Sequence, residues 1–420
     1  MITGRVVVLG QGYVGLPVAM RALDAGWTVV GYDTFEPRVR LLQGGRSPIE
    51  DIGDDVVRDA LRDGRYRATG KPAELAGFEF AVICVPTPLS DGVPDVSLVE
   101  TASRTLAPHV SPGCVVVLES TTYPGTTEEV VRPILERACG LVAGRDFHLG
   151  YSPERIDPGN REWHLGNTPK VVSGMTGACL ERVNDFYSSF VDKTIPVSAT
   201  RVAELVKLLE NTFRHANIAL VNEFTLFAND LGIDIRETIE AAATKPFGFM
   251  SFTPGPGVGG HCLPVDPSFL SWRSRQRLGR SFRFVDLAND INGYMPHHVV
   301  RRLTQILNTR GRPVNGSRLL LLGMSYKKNT GDARESPSRR IAEELLELGA
   351  HVRCADPYVA DEGLPAGCVR VEATEAEASA ADAVLVLVNH DLFAVQDLAD
   401  VAALVLDCRF AVSGPMVEHL

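Results

Sequence analysis

The sequence has no closely spaced pair of cysteines, no long apolar run and no surplus of positive charge, and each absence excludes a class of protein. Its eight cysteines include no C-x-x-C pair, so neither a zinc site nor a disulfide framework is indicated, and we expect no metal. No apolar stretch approaches the ~18 residues that a membrane-spanning helix needs. The formal net charge of −10 argues against nucleic acid or an anionic membrane as a partner.

The remaining composition is that of an ordinary soluble globular protein, with 45% hydrophobic and 22% charged residues. At roughly 100–200 residues per domain, a chain of 420 residues predicts two to four domains. Met1 leads directly into a strand, without the design of a signal peptide. We therefore expect the protein to be cytoplasmic.

Residues 255–267 read Gly-Pro-Gly-Val-Gly-Gly-His-Cys-Leu-Pro-Val-Asp-Pro. Glycine and proline at this density exclude regular structure, yet the segment carries Cys262 and, four residues later, Asp266. Such a loop can be stiff and still be open to a ligand, which favours a reactive thiol. The alternative is an incidental cysteine in a surface loop.

The first 33 residues contain the complete pattern of a dinucleotide-binding turn. An apolar strand is followed by Gly10-Gln-Gly-Tyr-Val-Gly15, by a helix up to Gly26, and by a second strand that ends at Asp33. The glycines allow a pyrophosphate to approach the backbone at a helix N-terminus. Asp33 is placed to bind a ribose diol and would repel a 2′-phosphate, so NAD is favoured over NADP. The alternative is a tight packing turn between strand and helix.

Two further apolar segments, 81–85 and 115–118, have the character of parallel strands that are buried on both faces. They predict that the first domain is a doubly wound α/β sheet. Ligands bind beyond the carboxyl ends of such strands, so Thr87, Ser120 and Thr121 are candidates for the cofactor edge. Helix capping or turn chemistry is the alternative for these three residues.

The centre of the chain changes to a helical period. From Arg201 to about Leu231 apolar residues recur at helical spacing, over a length greater than that of most globular helices. Such a helix is a natural spine between domains and a candidate dimer contact. Lys207, Asn211 and Arg214 follow at i, i+4 and i+7, which places three polar side chains on one stripe. The alternative is an ordinary solvated face.

Two polar loops carry charged residues that a linker would not need. The loop at 151–160 contains Glu154 and Arg155. A second α/β region follows the linker at 311–316, and its loop at 326–334 lacks the dinucleotide pattern but offers several cations. Both loops are therefore candidates for ligand contacts.

Five ordered motifs span nearly the whole chain: Gly10–Gly15, Ser152–Arg155, Glu204–Asn211, Gly257–Asp266 and Tyr326–Pro337. Together they resemble the motifs of the nucleotide-sugar 6-dehydrogenases, a family that includes UDP-glucose and UDP-N-acetylhexosamine dehydrogenases. The fold class expected from the resemblance is α/β, with two Rossmann-like doubly wound domains joined by a central helical domain with a long spine helix.

The same resemblance implies that three parts of the chain have different functions. Residues 1–198 are expected to form an NAD-binding Rossmann domain, and residues 199–310 a central helical domain that carries the Cys262 loop. Residues 311–420 are expected to form a Rossmann-like domain that binds the nucleotide sugar. The partners implied are a nucleotide-sugar substrate and a second copy of the chain, in a homodimer through the long helix.

The resemblance also implies a reaction, in which the primary alcohol at C6 of the sugar is oxidised twice to a carboxylate with reduction of two NAD molecules. Cys262 holds the half-oxidised substrate as a thiohemiacetal and then as a thioester. Lys207 and Asn211 stabilise the developing oxyanions, and Lys207 also moves protons and favours the thiolate. Glu154 activates the hydrolytic water, while Thr121 and Asp266 order that water or the thiol.

Position by position, the resemblance gives two sets of expected contacts. Those to the cofactor are Gly10, Gly12, Tyr13, Val14, Gly15, Asp33, Arg38, Pro86, Thr87, Ser120, Thr121 and Arg334. Those to the substrate are Glu154, Arg155, Ile156, Lys207, Asn211, Arg214, Gly257, Gly259, Tyr326, Lys327 and Arg409.

One departure from the family pattern concerns the choice of sugar. Glucose dehydrogenases of this family have a second acid four residues after the one that matches Glu154, where this chain has Pro158. Pro158, like Arg214, resembles the N-acetylhexosamine branch, so the expected substrate is UDP-GlcNAc, UDP-ManNAc or UDP-GalNAc. UDP-glucose or dTDP-glucose is the alternative, and Asp157 is a candidate to compensate for the missing acid.

Two other functional classes share part of the pattern. A single-step hydroxyacid dehydrogenase would have the Gly10 turn and the long helix, but it would not need Cys262 and would release one NADH per substrate. An inactive NAD-binding regulator would keep the Gly10 turn and could lose Lys207 or Cys262. Both residues are present here.

Overall fold

The computed structural model describes residues 4–90, 92–156, 160, 162–260 and 263–420. Its contacts divide the chain into two compact units. The first unit comprises the chain up to Glu210 together with Trp272–Arg280, and the second comprises Asn211–Ser271 together with Ser281–Leu420. Within the described ranges, no helix combines the length and the apolar character that crossing a bilayer would require.

Strands and helices alternate along the first unit. Its strands are β1 (Arg5–Leu9), β2 (Thr28–Tyr32), β3 (Tyr66–Thr69), β4 (Phe80–Ile83), β5 (Leu89–Ser90), β6 (Val93–Pro94), β7 (Val115–Leu118), β8 (His148–Tyr151), β9 (Lys170–Gly174) and β10 (Thr194–Pro196). Its helices are α1 (Gly15–Asp24), α2 (Glu36–Gln43), α3 (Asp54–Asp63), α4 (Ser97–Leu106), α5 (Arg132–Cys139), α6 (Gly177–Ser188) and the beginning of α7 (Thr200–Leu231).

The sheet of the first unit has the strand order β10-β9-β8-β7-β4-β1-β2-β3. Its pairs are parallel except that β9 runs antiparallel to β8, a feature that the apolar patterns did not indicate. Successive residues of β1 contribute to two separate apolar clusters, Val6 and Val8 to one and Val7 and Leu9 to the other. Because successive side chains of a strand point to opposite faces, the sheet is covered on both sides.

The helix α7 extends over 32 residues, as the apolar spacing predicts, and passes from the first unit into the second. Gly232 follows its last residue with φ of +66°, a left-handed conformation that ends helices and that glycine adopts at little cost. The helices that follow are α8 (Ile235–Ala243), α9 (Asp266–Leu278) and α10 (Arg283–Thr309).

The second α/β region lies at the C-terminal end of the chain. Its strands are β11 (Arg318–Leu322), β12 (His351–Ala355), β13 (Val369–Arg370), β14 (Ala383–Val386), β15 (Val405–Asp407) and β16 (Val417–His419), and its helices are α11 (Pro337–Glu347), α12 (Glu375–Ser379) and α13 (Val395–Val401). The described strands are parallel, in the order β13-β12-β11-β14-β15-β16. The predicted architecture is confirmed: two Rossmann-like regions are present, and the helices that include the long α7 lie between them in the sequence.

Candidate active site

The turn after β1 has the shape that a pyrophosphate requires. Gly10 has φ of +91°, and a side chain there would collide with the carbonyl group of Cys84 at the end of β4. A Cβ at Gly12 would meet no atom within 4 Å, so this part of the backbone faces open space before α1. The strand order reverses between β1 and β4, where ligands of such sheets bind. These residues therefore fit a dinucleotide.

Asp33 lies directly after β2 and is almost fully buried. Its Oδ2 accepts hydrogen bonds from the backbone N–H of Gln11 at 2.8 Å and from the Arg38 guanidinium at 3.0 Å, and its Oδ1 accepts one from the N–H of Phe35 at 2.9 Å. Each oxygen of a carboxylate has about two acceptor positions. Oδ1 accepts one hydrogen bond from the protein and can therefore accept a second one from a ribose hydroxyl. The structure thus brings Asp33 and Arg38 together. The hydroxyl of Tyr13 donates to Glu50 at 2.7 Å.

Two of the expected cofactor residues use their hydroxyls to join the ends of neighbouring strands. Thr87 donates to the carbonyl of Thr121 at 2.7 Å, and Ser120 donates to the carbonyl of Val85 at 2.7 Å. These bonds connect the segment that follows β4 with the segment that follows β7. Pro86 is exposed and Thr121 is half-buried at the same edge, so both remain candidates for contact with the cofactor.

Glu154 is buried just beyond the end of β8. Its Oε1 accepts a short hydrogen bond from the N–H of Ile156, whereas its Oε2 has no hydrogen-bond partner within the described ranges. A buried carboxylate oxygen without a donor is unfavourable unless a water or a ligand supplies one. The neighbouring Arg155 forms an ion pair with Glu210 of α7 at 2.5 Å.

A buried polar network that the motifs did not indicate supports the Glu154 loop. The ammonium of Lys170 pairs with Glu119 and donates to the carbonyl of Pro153 at 3.1 Å, and the hydroxyl of Tyr187 donates to Glu119 at 2.7 Å. Burial raises the pKa of Glu119, and the Lys170 ammonium opposes that rise. The only signal in the sequence is that Glu119 and Lys170 are charged residues at the ends of apolar strands.

Lys207 lies on the part of α7 that belongs to the first unit, and only 7% of it is exposed. Among the residues that the structure describes, it has no ion-pair partner. Three residues earlier, the buried carboxylate of Glu204 accepts hydrogen bonds from the N–H groups of Gly125 at 2.5 Å and Thr127 at 2.9 Å. Glu204 therefore fixes the loop that follows Thr121 to the helix that carries Lys207.

Asn211 and Asp266 are in direct contact within the second unit. The Nδ2 of Asn211 donates to Asp266 Oδ2 at 2.6 Å, and Asp266 is buried as the first residue of α9. Arg214, less than one turn along α7, is exposed. Cys262, the expected nucleophile, lies outside the described residues, as do Asp157 and Pro158.

The glycines before Cys262 allow their loop to pack closely on the loop that carries Tyr326. A Cβ at Gly259 would lie 2.8 Å from Tyr326 Cβ and 2.7 Å from the carbonyl oxygen of Glu335, and one at Gly260 would lie 2.7 Å from the Tyr326 ring. Gly257 adopts φ of +128°, which favours glycine. The structure therefore brings three expected substrate residues, Gly257, Gly259 and Tyr326, into one part of the second unit.

Arg409 joins the same group, because a Cβ at Gly255 would lie 3.0 Å from its Nη1. Its Nε donates to the carbonyl of Leu387 at 2.5 Å. The hydroxyl of Ser325 donates to the carbonyl of Lys327 at 2.7 Å. Arg334, expected at the cofactor, lies in the second unit as an ion pair with Asp332 at 2.6 Å.

A buried aspartate and histidine, which belong to none of the sequence motifs, hold the beginning of the Tyr326 loop. Asp356 accepts from the N–H groups of Met324 at 2.6 Å and Ser325 at 3.1 Å, and from His390 Nε2 at 3.1 Å. Burial alone would raise the pKa of Asp356, but the hydrogen bonds from His390 and Met324 outweigh it and lower the pKa to about 2. Asp356 is therefore ionised, and its charge fixes the loop.

Comparison with known proteins gives three family models in order along the chain. They are the UDP-glucose/GDP-mannose dehydrogenase family NAD binding domain at residues 4–191, the central domain at 201–294 and the UDP binding domain at 320–414. A UDP-N-acetyl-D-mannosamine dehydrogenase of Pyrococcus horikoshii is 36% identical over 93% of this chain and 90% of its own length. A UDP-N-acetyl-D-glucosamine 6-dehydrogenase of Salmonella typhi is 35% identical over the same shares of the two chains.

Solved structures agree with these sequence matches. The structure of the UDP-D-ManNAc dehydrogenase from Pyrococcus horikoshii superimposes with a TM-score of 0.90 at 33% identity, over 99% of this chain and 98% of that one. The predicted family and the NAD cofactor are confirmed by these findings together. The ordered domains, the dinucleotide turn and the identity over nearly the full length lead to one conclusion: this chain belongs to the UDP-glucose/GDP-mannose dehydrogenase family.

Proposed function

We propose that this chain oxidises the C6 hydroxymethyl group of a UDP-N-acetylhexosamine to a carboxylate. The observation that carries the proposal is the ordered match to the family's NAD binding, central and UDP binding domains. In the balanced reaction, R–CH2OH, one water and two NAD⁺ give R–COO⁻, two NADH and three protons. NAD supplies the acceptor for the hydride in each oxidation.

Cys262 is proposed as the group that retains the substrate between the two oxidations. Its thiolate adds to the C6 aldehyde, which gives a thiohemiacetal, and oxidation of this adduct leaves a thioester on the sulfur. Water then adds to the thioester carbon and the sulfur leaves as the thiolate. An ordinary thiol has a pKa of about 8.5, so the route requires nearby groups that favour the thiolate.

Lys207 and Asn211 are proposed to stabilise the negative charge that develops on the C6 oxygen, and Lys207 also to accept and return the hydroxyl proton. The burial of Lys207 supports the stabilising role, because a buried ammonium that has no counter-ion among the described residues gains from a nearby anion, whereas the accepting role belongs to the neutral amine. Asp266 orients the Asn211 amide through the bond between them, so that the second N–H of Asn211 remains available for a ligand.

Glu154 is proposed as the base that activates the hydrolytic water, which Thr121 helps to order. The supporting observation is the buried Oε2, which has no donor within the described residues while Oε1 is held by the backbone. A water bound at Oε2 would satisfy that oxygen and could transfer a proton to it. Arg155, Ile156, Arg214, Gly257, Gly259, Tyr326, Lys327 and Arg409 are proposed to contact the substrate.

The choice of an N-acetylated sugar rests on the relatives and on Pro158. Proteins named as dehydrogenases of UDP-N-acetyl-D-mannosamine and UDP-N-acetyl-D-glucosamine are 36% and 35% identical to this chain. UDP-glucose is the second candidate, because a UDP-glucose dehydrogenase of Pyrobaculum islandicum has a TM-score of 0.87 at 28% identity.

A substrate panel tests both the reaction and the sugar. Purified protein is given NAD and one UDP-, dTDP- or GDP-sugar at a time, and NADH and sugar consumed are counted. We expect two NADH per sugar with a UDP-N-acetylhexosamine and little turnover of UDP-glucose. A ratio of one NADH per sugar would contradict the four-electron reaction. Cys262→Ser should still bind NAD but yield little acid, and full activity of this variant would exclude the thioester route.

We propose that the domain limits are 1–198, 199–310 and 311–420, close to the limits of the family models. We propose a homodimer through α7, supported by the exposed apolar side chains of that helix, such as Phe224 and Phe227. A cytoplasmic location is proposed because the reaction consumes NAD and a nucleotide sugar.

A further inference from the structure

A chain of side-chain hydrogen bonds begins at the first residue of the glycine loop. The backbone N–H of Gly255 donates to Asn222 Oδ1 at 3.0 Å, and Asn222 Nδ2 donates to Asn292 Oδ1 at 2.9 Å. Asn222 lies on α7 and Asn292 on α10, and both are buried. This end of the loop is therefore fixed to two helices of the second unit by interior amides.

A second chain of hydrogen bonds begins on the other side of Cys262. The hydroxyl of Ser268 donates to the carbonyl of Pro264 at 3.0 Å, and Asn289 Nδ2 donates to the Ser268 oxygen at 3.4 Å. Asn289 Oδ1 lies 2.8 Å from His215 Nε2. Pro264 is only two residues after Cys262 in the sequence, so these hydrogen bonds fix the backbone two positions after the cysteine.

The two series of hydrogen bonds meet at His215 on α7. Only 1% of His215 is exposed. Asn292 Nδ2 lies 3.2 Å from the His215 carbonyl oxygen and 3.3 Å from its Nδ1. One histidine thus joins the bonds that lead to Gly255 with the bonds that lead to Pro264. The ten residues from Gly255 to Pro264 contain His261 and Cys262.

The two backbone ends determine the protonation of His215. The Gly255 N–H can only donate, so the oxygen of the Asn222 amide faces it and the Asn222 nitrogen faces the Asn292 oxygen. Asn292 Nδ2 therefore donates toward Nδ1 of His215. The Pro264 carbonyl can only accept, so the Ser268 hydroxyl donates to it and accepts from Asn289 Nδ2. Asn289 Oδ1 then faces His215, and Nε2 of His215 must carry a proton. His215 is therefore the neutral Nε2–H tautomer. Burial also lowers its pKa, and the bond to Asn289 opposes the fall.

Both ends of the Cys262 loop thus depend on one set of interior side chains. We infer that His215, with Asn222, Asn289 and Asn292, is a positioning residue that fixes the backbone at Gly255 and Pro264, and that the reactivity of Cys262 depends on these two fixed ends. The inference rests on the proposed role of Cys262. None of the four side chains is proposed to touch the substrate, so they act through the loop.

His215→Phe tests the inference, since it removes both ring nitrogens and retains a planar ring. The pH dependence of Cys262 alkylation by iodoacetamide is followed by mass spectrometry of its peptide, without NAD or sugar. We expect the midpoint to move toward the ordinary thiol value of about 8.5. We also expect kcat to fall about tenfold, because a misplacement of about 1 Å can cost up to about 100-fold. His215→Gln, which can donate and accept, should recover most of the loss.

Ser268→Ala is the second variant, because it removes only the bond to Pro264 from a half-buried position. Its alkylation midpoint should also move toward the ordinary thiol value and its kcat should also fall. Both changes should be smaller than those of His215→Phe. Thr225→Val is the matched control. Thr225 is buried on the same helix and donates to the Val221 carbonyl at 2.8 Å, outside the network, so its alkylation and kcat should stay within about twofold of the parent.

The outcomes separate this inference from the proposed function. If Cys262→Ser abolishes acid formation while His215→Phe and Ser268→Ala leave the alkylation midpoint and kcat unchanged, the positioning role is wrong and the proposed function stands. A lower melting temperature with unchanged alkylation and kcat would show a structural role only, and would also overturn the inference. If His215→Phe does not fold, Ser268→Ala decides.

Discussion

The Lys170 side chain joins three groups of the first unit that lie far apart in sequence. Its ammonium contacts Glu119, the carbonyl of Pro153 and the face of the Tyr187 ring at 5.1 Å. Lys170 and Glu119 are both buried, so neither charge is stabilised by water. Because Pro153 adjoins Glu154, the same ammonium supports the loop of the proposed base.

Lys170→Met is expected to lower the free energy of unfolding by about 3–5 kcal/mol, because it leaves the Glu119 carboxylate buried without a cation. Urea unfolding followed by circular dichroism measures the change. The double variant Glu119→Gln, Lys170→Met should recover much of the loss, since no uncompensated charge then remains.

The matched control for Lys170→Met is Arg40→Met. Arg40 forms a similar pair with Glu36 at 2.5 Å, but both side chains are about 70% exposed. Such surface pairs contribute at most about 1 kcal/mol, so this variant should change the unfolding free energy by less than that. Equal losses in the two variants would contradict the importance of burial.

The distance in sequence between partners explains which residues could be predicted. Gly10, Gly12 and Asp33 are parts of one local pattern, and their chemistry is visible without the fold. Lys170 meets Glu119 across 51 positions, and His215 meets Asn289 across 74. No local spacing relates such partners, because folding alone brings them together.

Whole elements show the same contrast between local and tertiary information. The predicted helix from Arg201 to about Leu231 agrees with α7 to within one residue, because apolar spacing is a property of the segment itself. The antiparallel direction of β9 was not predicted, because it depends on the path of the chain after β8. Lys207 is buried and Arg214, about two turns further along α7, is exposed, and this difference likewise depends on what covers each turn of the helix.

Glu204→Gln tests how α7 holds the neighbouring loop of the first unit. The buried carboxylate accepts from the N–H groups of Gly125 and Thr127 and from the Thr127 hydroxyl at 2.7 Å. Glutamine has only one oxygen to accept with, so at least one donor loses its partner. We expect the free energy of unfolding to fall by about 1.5–3 kcal/mol, the range for hydrogen bonds to a charged group.

Thermal and urea unfolding measure the effect of Glu204→Gln, with Glu223→Gln as the control. Glu223 lies on the same helix but is exposed, so its substitution should change stability by less than about 0.5 kcal/mol. If the two variants behave alike, Glu204 does not fix the loop.

At the scale of the whole molecule, the second-unit part of α7 exposes an apolar face. Large side chains that are about half exposed recur along it at spacings of three, four and seven residues: Phe213, Leu220, Phe224, Phe227 and Leu231. Helical residues at these spacings lie on one side. A row of large exposed apolar side chains on one helix is typical of an interface between chains. In a symmetric dimer the apolar face of each copy would cover the same face of the other.

If the proposed dimer forms, Phe224→Glu is expected to convert it into single chains, because the substitution places a charge in the apolar interface. Phe224 is 53% exposed in the single chain, so the substitution creates no buried charge there. Light scattering after size-exclusion chromatography gives the mass directly. Leu392→Glu is the control, since Leu392 is also exposed, at 68%, but lies in the C-terminal α/β region away from α7 in the chain. The control should keep the mass of two chains. A parent protein with the mass of one chain, or a Phe224→Glu variant that still has the mass of two, would exclude this helix as the dimer contact.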